Sequence, residues 1–213
     1  MRALELFAGN KSFGKVAKDR GFSEIVSLDF LAKFNSTITA DILAWDYKAA
    51  YPPGYFDFVW ASPDCTSWSN ATHIHRTKGD MRPKTEKARI GEALIHKTWE
   101  ILDYFQPRLY AIENPRGRLA HFPPMARAPF RTLVYYSHYG NPNSKPTHIW
   151  TNFPLWPDEK REKGAKQNIL WATIPHRLRS LIPAPLIARI LDSMAAAFIV
   201  PSLEMEPEQT PPQ

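Results

Sequence analysis

The chain's single cysteine, Cys65, follows Ser62-Pro63-Asp64 at the end of an apolar run, Phe58-Val59-Trp60-Ala61. A thiol there is placed as a nucleophile, provided its surroundings favour the thiolate. Single cysteines are more often small buried hydrophobes, but the polar neighbours Asp64, Thr66 and Ser67 weaken that alternative. Glu113 closes a second apolar run, Tyr110-Ala111-Ile112, and is followed by Asn114-Pro115. A carboxyl at the end of a buried strand can hydrogen-bond or protonate a ring nitrogen, or it can simply cap the next helix.

A third set of residues suits a nucleoside. The turn Phe7-Ala8-Gly9-Asn10-Lys11-Ser12 leads from a short apolar run into a helical stretch. A glycine there lets backbone approach a ligand, and a helix start offers free amide donors. Asp29 lies 20 residues beyond Gly9 at the end of another apolar run, where an acid can accept hydrogen bonds from ribose hydroxyls. Asp41, in Thr39-Ala40-Asp41-Ile42-Leu43, could face a purine amino group or make a local turn.

The elements that must hold these residues read as alternating strands and helices. Strands are expected at Leu4–Phe7, Glu24–Asp29, Phe56–Ala61, Leu109–Glu113, Leu133–Tyr139 and Thr147–Asn152. Helices are expected from Ser12, as a cap, to Arg20 and from Glu86 to Tyr104, with a buried C-terminal helix within Leu181–Val200. The order predicts an α/β fold: a mostly parallel sheet with helices on both faces. Ligands bind such sheets at the carboxyl ends of the strands, where all the residues above fall.

Composition narrows the classes. The chain has 213 residues, 44% hydrophobic and 23% charged, which excludes collagen-like, coiled-coil and disordered chains. One cysteine excludes an internal disulfide and a multi-cysteine zinc site, and suits a reducing, cytoplasmic setting. His73 and His75 have no acid or cysteine at ligand spacing, so no metal is expected. The longest apolar stretch carries Arg189, Asp192 and two prolines, so no membrane partner is expected either. The balance of 27 basic to 21 acidic residues, a formal charge of +6, is compatible with a polyanionic partner. Residues 204–213, rich in Pro, Glu and Gln, read as a disordered tail after a single domain over 1–200.

In order and spacing, these blocks resemble the cytosine-C5 DNA methyltransferase family over about residues 3–153, in the compact form found in phages and large viruses. The resemblance implies a Rossmann-like methyltransferase fold and S-adenosylmethionine as methyl donor, with S-adenosylhomocysteine as product. The implied cofactor-binding set is Phe7, Ala8, Gly9, Asn10, Lys11, Ser12, Asp29, Phe30, Asp41, Ile42, Ser62 and Pro63. Cys65 falls at the nucleophile, Glu113 at the acid that meets cytosine N3, and His148 at a base-positioning arginine. Arg76, Lys78, Arg82, Lys84, Lys87, Arg89 and Lys145 would then contact double-stranded DNA around a flipped-out cytosine, with the protein acting as a monomer.

Four positions depart from the family pattern. Asp64 replaces a proline and disfavours the thiolate beside it. Pro146 and His148 stand at two arginines, and Lys11 at a glycine. Few residues remain after Asn152 for a recognition region; the mixed-charge stretch Asp158–Lys166 is the candidate for phosphate contact. An RNA or free-nucleotide substrate, or a binding protein without catalysis, remain the alternatives.

Overall fold

The computed structural model describes residues 1–70, 74–156 and 180–199. Seven strands form one sheet: β1 (Arg2–Leu6), β2 (Glu24–Asp29), β3 (Ile38–Thr39), β4 (Phe58–Ala61), β5 (Leu109–Pro115), β6 (Phe130–Tyr135) and β7 (Pro146–Thr151). Their order is β3-β2-β1-β4-β5-β7-β6. The first five run parallel, and β7 runs antiparallel to both β5 and β6. The chain winds outward to β3 on one side of β1 and resumes at β4 on the other. That reversal opens a crevice at the carboxyl edge of the sheet.

Both faces of the sheet are covered, which is why β4 reads as a continuous apolar run and β1 as one interrupted only by Glu5 after Arg2. Helices α1 (Ser12–Asp19) and α4 (Ala184–Ile199) cover one face, packing Phe13, Ala17, Leu186, Ile187 and Ile190 onto Phe58, Trp60 and Ala111. Helix α3 (Glu86–Phe105) covers the other, packing Ile95, Trp99, Leu102 and Phe105 onto Leu4, Val59 and Ile112. Alternate residues of one strand thus belong to different cores, as the two-residue repeat requires.

Some boundaries move for identifiable reasons. Lys11, left-handed at φ 54°, takes the cap position of α1, so Ser12 is its first helical residue and not its cap. α3 is capped by Thr85, whose hydroxyl accepts from the Ala88 amide, and ends at the left-handed Gln106 before Pro107. β6 stops at Tyr135, four residues short of its expected end. Tyr136–Tyr139 instead winds into a 3-10 turn closed by Gly140, φ 82°. α4 starts only after Pro183. β3 and the single-turn helix α2 (Tyr47–Ala50) are too short to leave a periodic signal. No helix among the described residues is long and apolar enough to cross a membrane. The stretch 158–166 and the tail 204–213 lie outside the described residues.

Candidate active site

The carboxyl ends of β1 to β4 bring the nucleoside candidates to one edge. Asp29, buried, accepts from the Gly9 amide at 2.8 Å through one carboxylate oxygen and from the Leu31 amide at 2.9 Å through the other. It therefore fixes the turn after β1 against the end of β2 and keeps lone pairs for a further donor. Phe7 (φ 58°) and Gly9 (φ 48°) are both left-handed, which folds this turn tightly. Phe30, next to Asp29, leaves its ring 68% exposed, an unusual position for a phenylalanine beside a buried acid. Asp41 is exposed and accepts from the Leu43 amide, whereas Ile42 sends its side chain into the core and can offer a ligand only backbone. The Lys11 ammonium reaches across to the Asn35 carbonyl at 2.5 Å.

Sequence reasoning passed over Glu5, which lies inside β1 in an otherwise apolar run. It accepts from the Phe13 and Gly14 amides, both at 3.1 Å, and so satisfies the start of α1 where Lys11 has no side-chain acceptor. Burial pushes its carboxyl up from the ordinary 4.5 to about 7, against the pull of those two amides and of Lys11 and Lys15. The folded chain therefore holds this proton more tightly than the unfolded chain. The contribution of this group is full below about pH 4.5, falls as pH rises, and is lost, by an amount of order 3 kcal/mol, above about pH 7. Denaturant unfolding from pH 5 to 8 should show this decline in the wild type, and Glu5→Gln should flatten it.

The cysteine loop is held from three directions. Asn114 donates its side-chain amide to the Pro63 carbonyl at 2.9 Å, tying the residue after Glu113 to the loop carrying the thiol. Cys65 itself starts a 3-10 turn, Thr66–Trp68, that lies against two glycines. A Cβ on Gly117 would sit 2.5 Å from the Trp68 carbonyl oxygen, and one on Gly91 of α3 would sit 2.3 Å from the Ser67 hydroxyl. Gly117 in particular faces backbone, which cannot move aside as a side chain can. The half-buried Cys65 thiol is pushed up to about 11, first by burial, then by the charges of Glu113 and Asp64, against the opposing Lys145. The effect expected of Asp64 is present, and Glu113 exceeds it.

Glu113 is buried, and its Oε1 accepts from the phenol of Tyr136 at 2.8 Å. Tyr136 is fully buried, and the Lys145 ammonium lies 4.6 Å from its ring centroid. Neither the phenol nor its pairing was visible in the sequence. His148 lies elsewhere: in register it opposes Asn114, on the face that carries Trp150, whereas Glu113 opposes Ile149. Its imidazole is lowered to about 4 by burial and then by Arg131, Arg116 and His121, so it is neutral at pH 7. Among the described residues its Nδ1 has no partner.

The expected DNA contacts divide. Arg76 must be withdrawn from them, because it is a buried strut: it donates to the carbonyls of Ser67, Met81 and Ala88 and to Glu92 at 2.6 Å, and lies over the Trp68 ring. It anchors a hairpin-like loop in which Thr77 and Lys84 bond back to Arg82 and His75. Arg82 and Arg89 are exposed but paired with Asp80 and Glu86, and Lys78, Lys84 and Lys87 are exposed. An open cleft of about 520 Å³ runs between this loop (Gly79–Pro83) and His121–Pro123. It adjoins a second basic group that no local charge run revealed: Arg116, His121 and Arg131 are all exposed, and all act on His148. His75 bonds Thr85, and no group of metal-ligating side chains occurs among the described residues.

No family model matches the chain. It is similar to a probable DNA (cytosine-5)-methyltransferase of Frog virus 3 (isolate Goorha), at 33% identity over 158 residues, 71% of each chain. Its fold is similar to that of the Entamoeba histolytica methyltransferase EhMeth, at a TM-score of 0.50 and 13% identity. That match covers 75% of this chain and only 55% of the solved one.

Proposed function

The chain belongs to the DNA (cytosine-5)-methyltransferase family, and we propose that it transfers a methyl group from S-adenosylmethionine to C5 of a flipped-out cytosine, with Cys65 as the covalent nucleophile. The observation that carries this reading is the grouping of Cys65 and Glu113. The charge of the acid acts on the thiol, and Asn114 ties the two segments together.

Bound S-adenosylmethionine supplies the methyl as an electrophile. The edge formed by Gly9, Asp29, Phe30 and Asp41 fits its nucleoside half. Asp29 retains acceptor capacity for ribose hydroxyls, and the exposed Phe30 offers a ring face for a purine. Asp29→Ala should weaken its binding ten-fold or more, through loss of charge-assisted bonds of about 1.5–3 kcal/mol. Equal affinities of wild type and variant by calorimetry would remove Asp29 from the site.

Cytosine C5 is a poor nucleophile until C6 is attacked. The Cys65 sulfur adds to C6, the ring electrons move toward N3, and Glu113 protonates N3. After C5 takes the methyl, the C5 proton passes to water, its electron pair restores the C5=C6 bond and expels the Cys65 thiolate, and the N3 proton returns to Glu113. A base inside a duplex cannot meet Cys65, so it must leave the stack. The exposed Lys78, Lys84 and Lys87, on and just after the loop that lines the cleft, and the exposed Arg116 and Arg131 near His148 provide the cationic surface for the flanking phosphates.

Mass spectrometry of nucleosides from DNA incubated with protein and S-adenosylmethionine tests the function. It should detect 5-methylcytosine. The high thiol pKa favours a second reading, a DNA-binding relative without turnover. DNA binding with no methylated base at pH 7 to 9.5 would establish that one instead.

A further inference from the structure

We propose that Tyr136 is the positioning residue of the reaction, fixing through its hydrogen bond to Oε1 of Glu113 which carboxyl oxygen holds the proton for cytosine N3. The inference rests on the functional reading above and adds a residue to it.

A buried carboxyl can carry its proton on either oxygen, and only one of the two tautomers serves a base in the pocket. The Tyr136 phenol resolves the choice. It donates to Oε1 at 2.8 Å, so an acid proton on Glu113 must sit on Oε2. Fully buried and out of reach of water, the phenol finds its strongest acceptor in this carboxyl, so its O–H points at Oε1. Thr147 lies beside the phenol and Lys145, two residues before it, lies over the Tyr136 ring, so β5 through Glu113 and the start of β7 hold the phenol in place. Among the described residues no other side-chain donor reaches Glu113.

The same bond acts during the step. As the Cys65 Sγ–C6 bond forms, the C5=C6 π pair moves to C4–C5 and the C4=N3 pair moves onto N3. N3 takes the proton from Oε2, and Glu113 is left as a carboxylate. Tyr136 then donates to a charged acceptor, and that bond is stronger than the one to the neutral acid. The phenol therefore favours the state after proton transfer over the state before it, which is the condition for lowering a barrier. A neutral donor does this without adding a second cation beside Lys145.

Tyr136→Phe tests the proposal by steady-state methylation, with thermal unfolding measured in parallel. The expected result is a fall in kcat of about 10- to 100-fold, with KM for DNA and for S-adenosylmethionine within about two-fold. Glu113→Gln and the Glu113→Gln/Tyr136→Phe double variant should share the same residual kcat, because the phenol acts only through that carboxyl. A protein carrying 3,5-difluorotyrosine at position 136 keeps the shape and strengthens the donor, so its kcat should be at or above that of the wild type. It also covers the case in which the phenylalanine variant does not fold. An unchanged kcat in folded Tyr136→Phe, a further loss in the double variant, or a slower difluorotyrosine protein, with the wild type active, would overturn the role of Tyr136 and leave the function standing. A kcat loss that only follows lost folded protein would overturn it too. A wild type without methylation would instead remove the functional reading itself.

Discussion

Cys65→Ala is expected to abolish methyl transfer, by about 10⁴-fold or more, while leaving the melting temperature and S-adenosylmethionine affinity nearly unchanged. The thiol is half-buried and accepts no hydrogen bond from a side chain among the described residues, whereas the loop around it is held by Asn114, Gly91 and Gly117. Removing the sulfur therefore deletes the nucleophile without releasing the loop. The pH dependence has a definite sign. A thiol at about 11 is mostly protonated at pH 7, so activity limited by the thiolate should climb as pH rises from 7 toward 9.5. Asp64→Asn removes one of the two charges that raise it and should move the climb to lower pH. Activity that falls over this range, or is unaffected by Asp64→Asn, would contradict the assignment of Cys65. Methylation measured from pH 6.5 to 9.5 at fixed ionic strength provides the comparison.

The second large effect is on stability. Arg76→Ala should destabilise the protein by about 3–5 kcal/mol, the usual consequence of deleting one partner of a buried ion pair. For a chain of this length that corresponds to a fall in melting temperature on the order of 10 °C. Glu92 would lose its partner, and the carbonyls of Ser67, Met81 and Ala88 would lose a shared donor beneath the cysteine loop. Lys84→Ala, eight residues further on, removes an exposed charge and should leave stability within about 0.5 kcal/mol. If Arg76 instead met phosphate, its alanine variant would melt like the wild type and bind DNA less tightly. Scanning calorimetry of the two variants separates the two roles.

These residues also show where sequence legibility ends. The placement of Asp29, Cys65 and Glu113 at one edge was legible because Asp29 ends β2, Cys65 follows β4 by four residues and Glu113 lies near the end of β5, and a parallel sheet delivers strand ends to one edge. Arg76 was misread because a charge run carries no information on burial; only the folded loop shows its guanidinium enclosed by carbonyls and Trp68. His148 was placed correctly on a strand, but its facing depends on register, and pairing with Asn114 sends it toward Arg116 and Arg131. Tyr136 and Glu113 are 23 residues apart with no shared motif, and their contact exists only because β6 ends early in a 3-10 turn. Glu5 left no signal because a single acid in an apolar strand looks like an exception to burial. Here it is the acceptor that starts α1.

The central claim is that Cys65 bonds to cytosine C6 before methyl transfer. A duplex carrying 5-fluorocytosine tests it most directly, because fluorine cannot leave C5 as the proton does and the enzyme remains attached. With S-adenosylmethionine present, wild-type protein should give a DNA adduct that survives denaturing electrophoresis, more of it at pH 9 than at pH 7. A tryptic peptide containing Cys65 should carry the modified base. Absence of any adduct from pH 6.5 to 9.5, or an equal yield from Cys65→Ala, would contradict the claim.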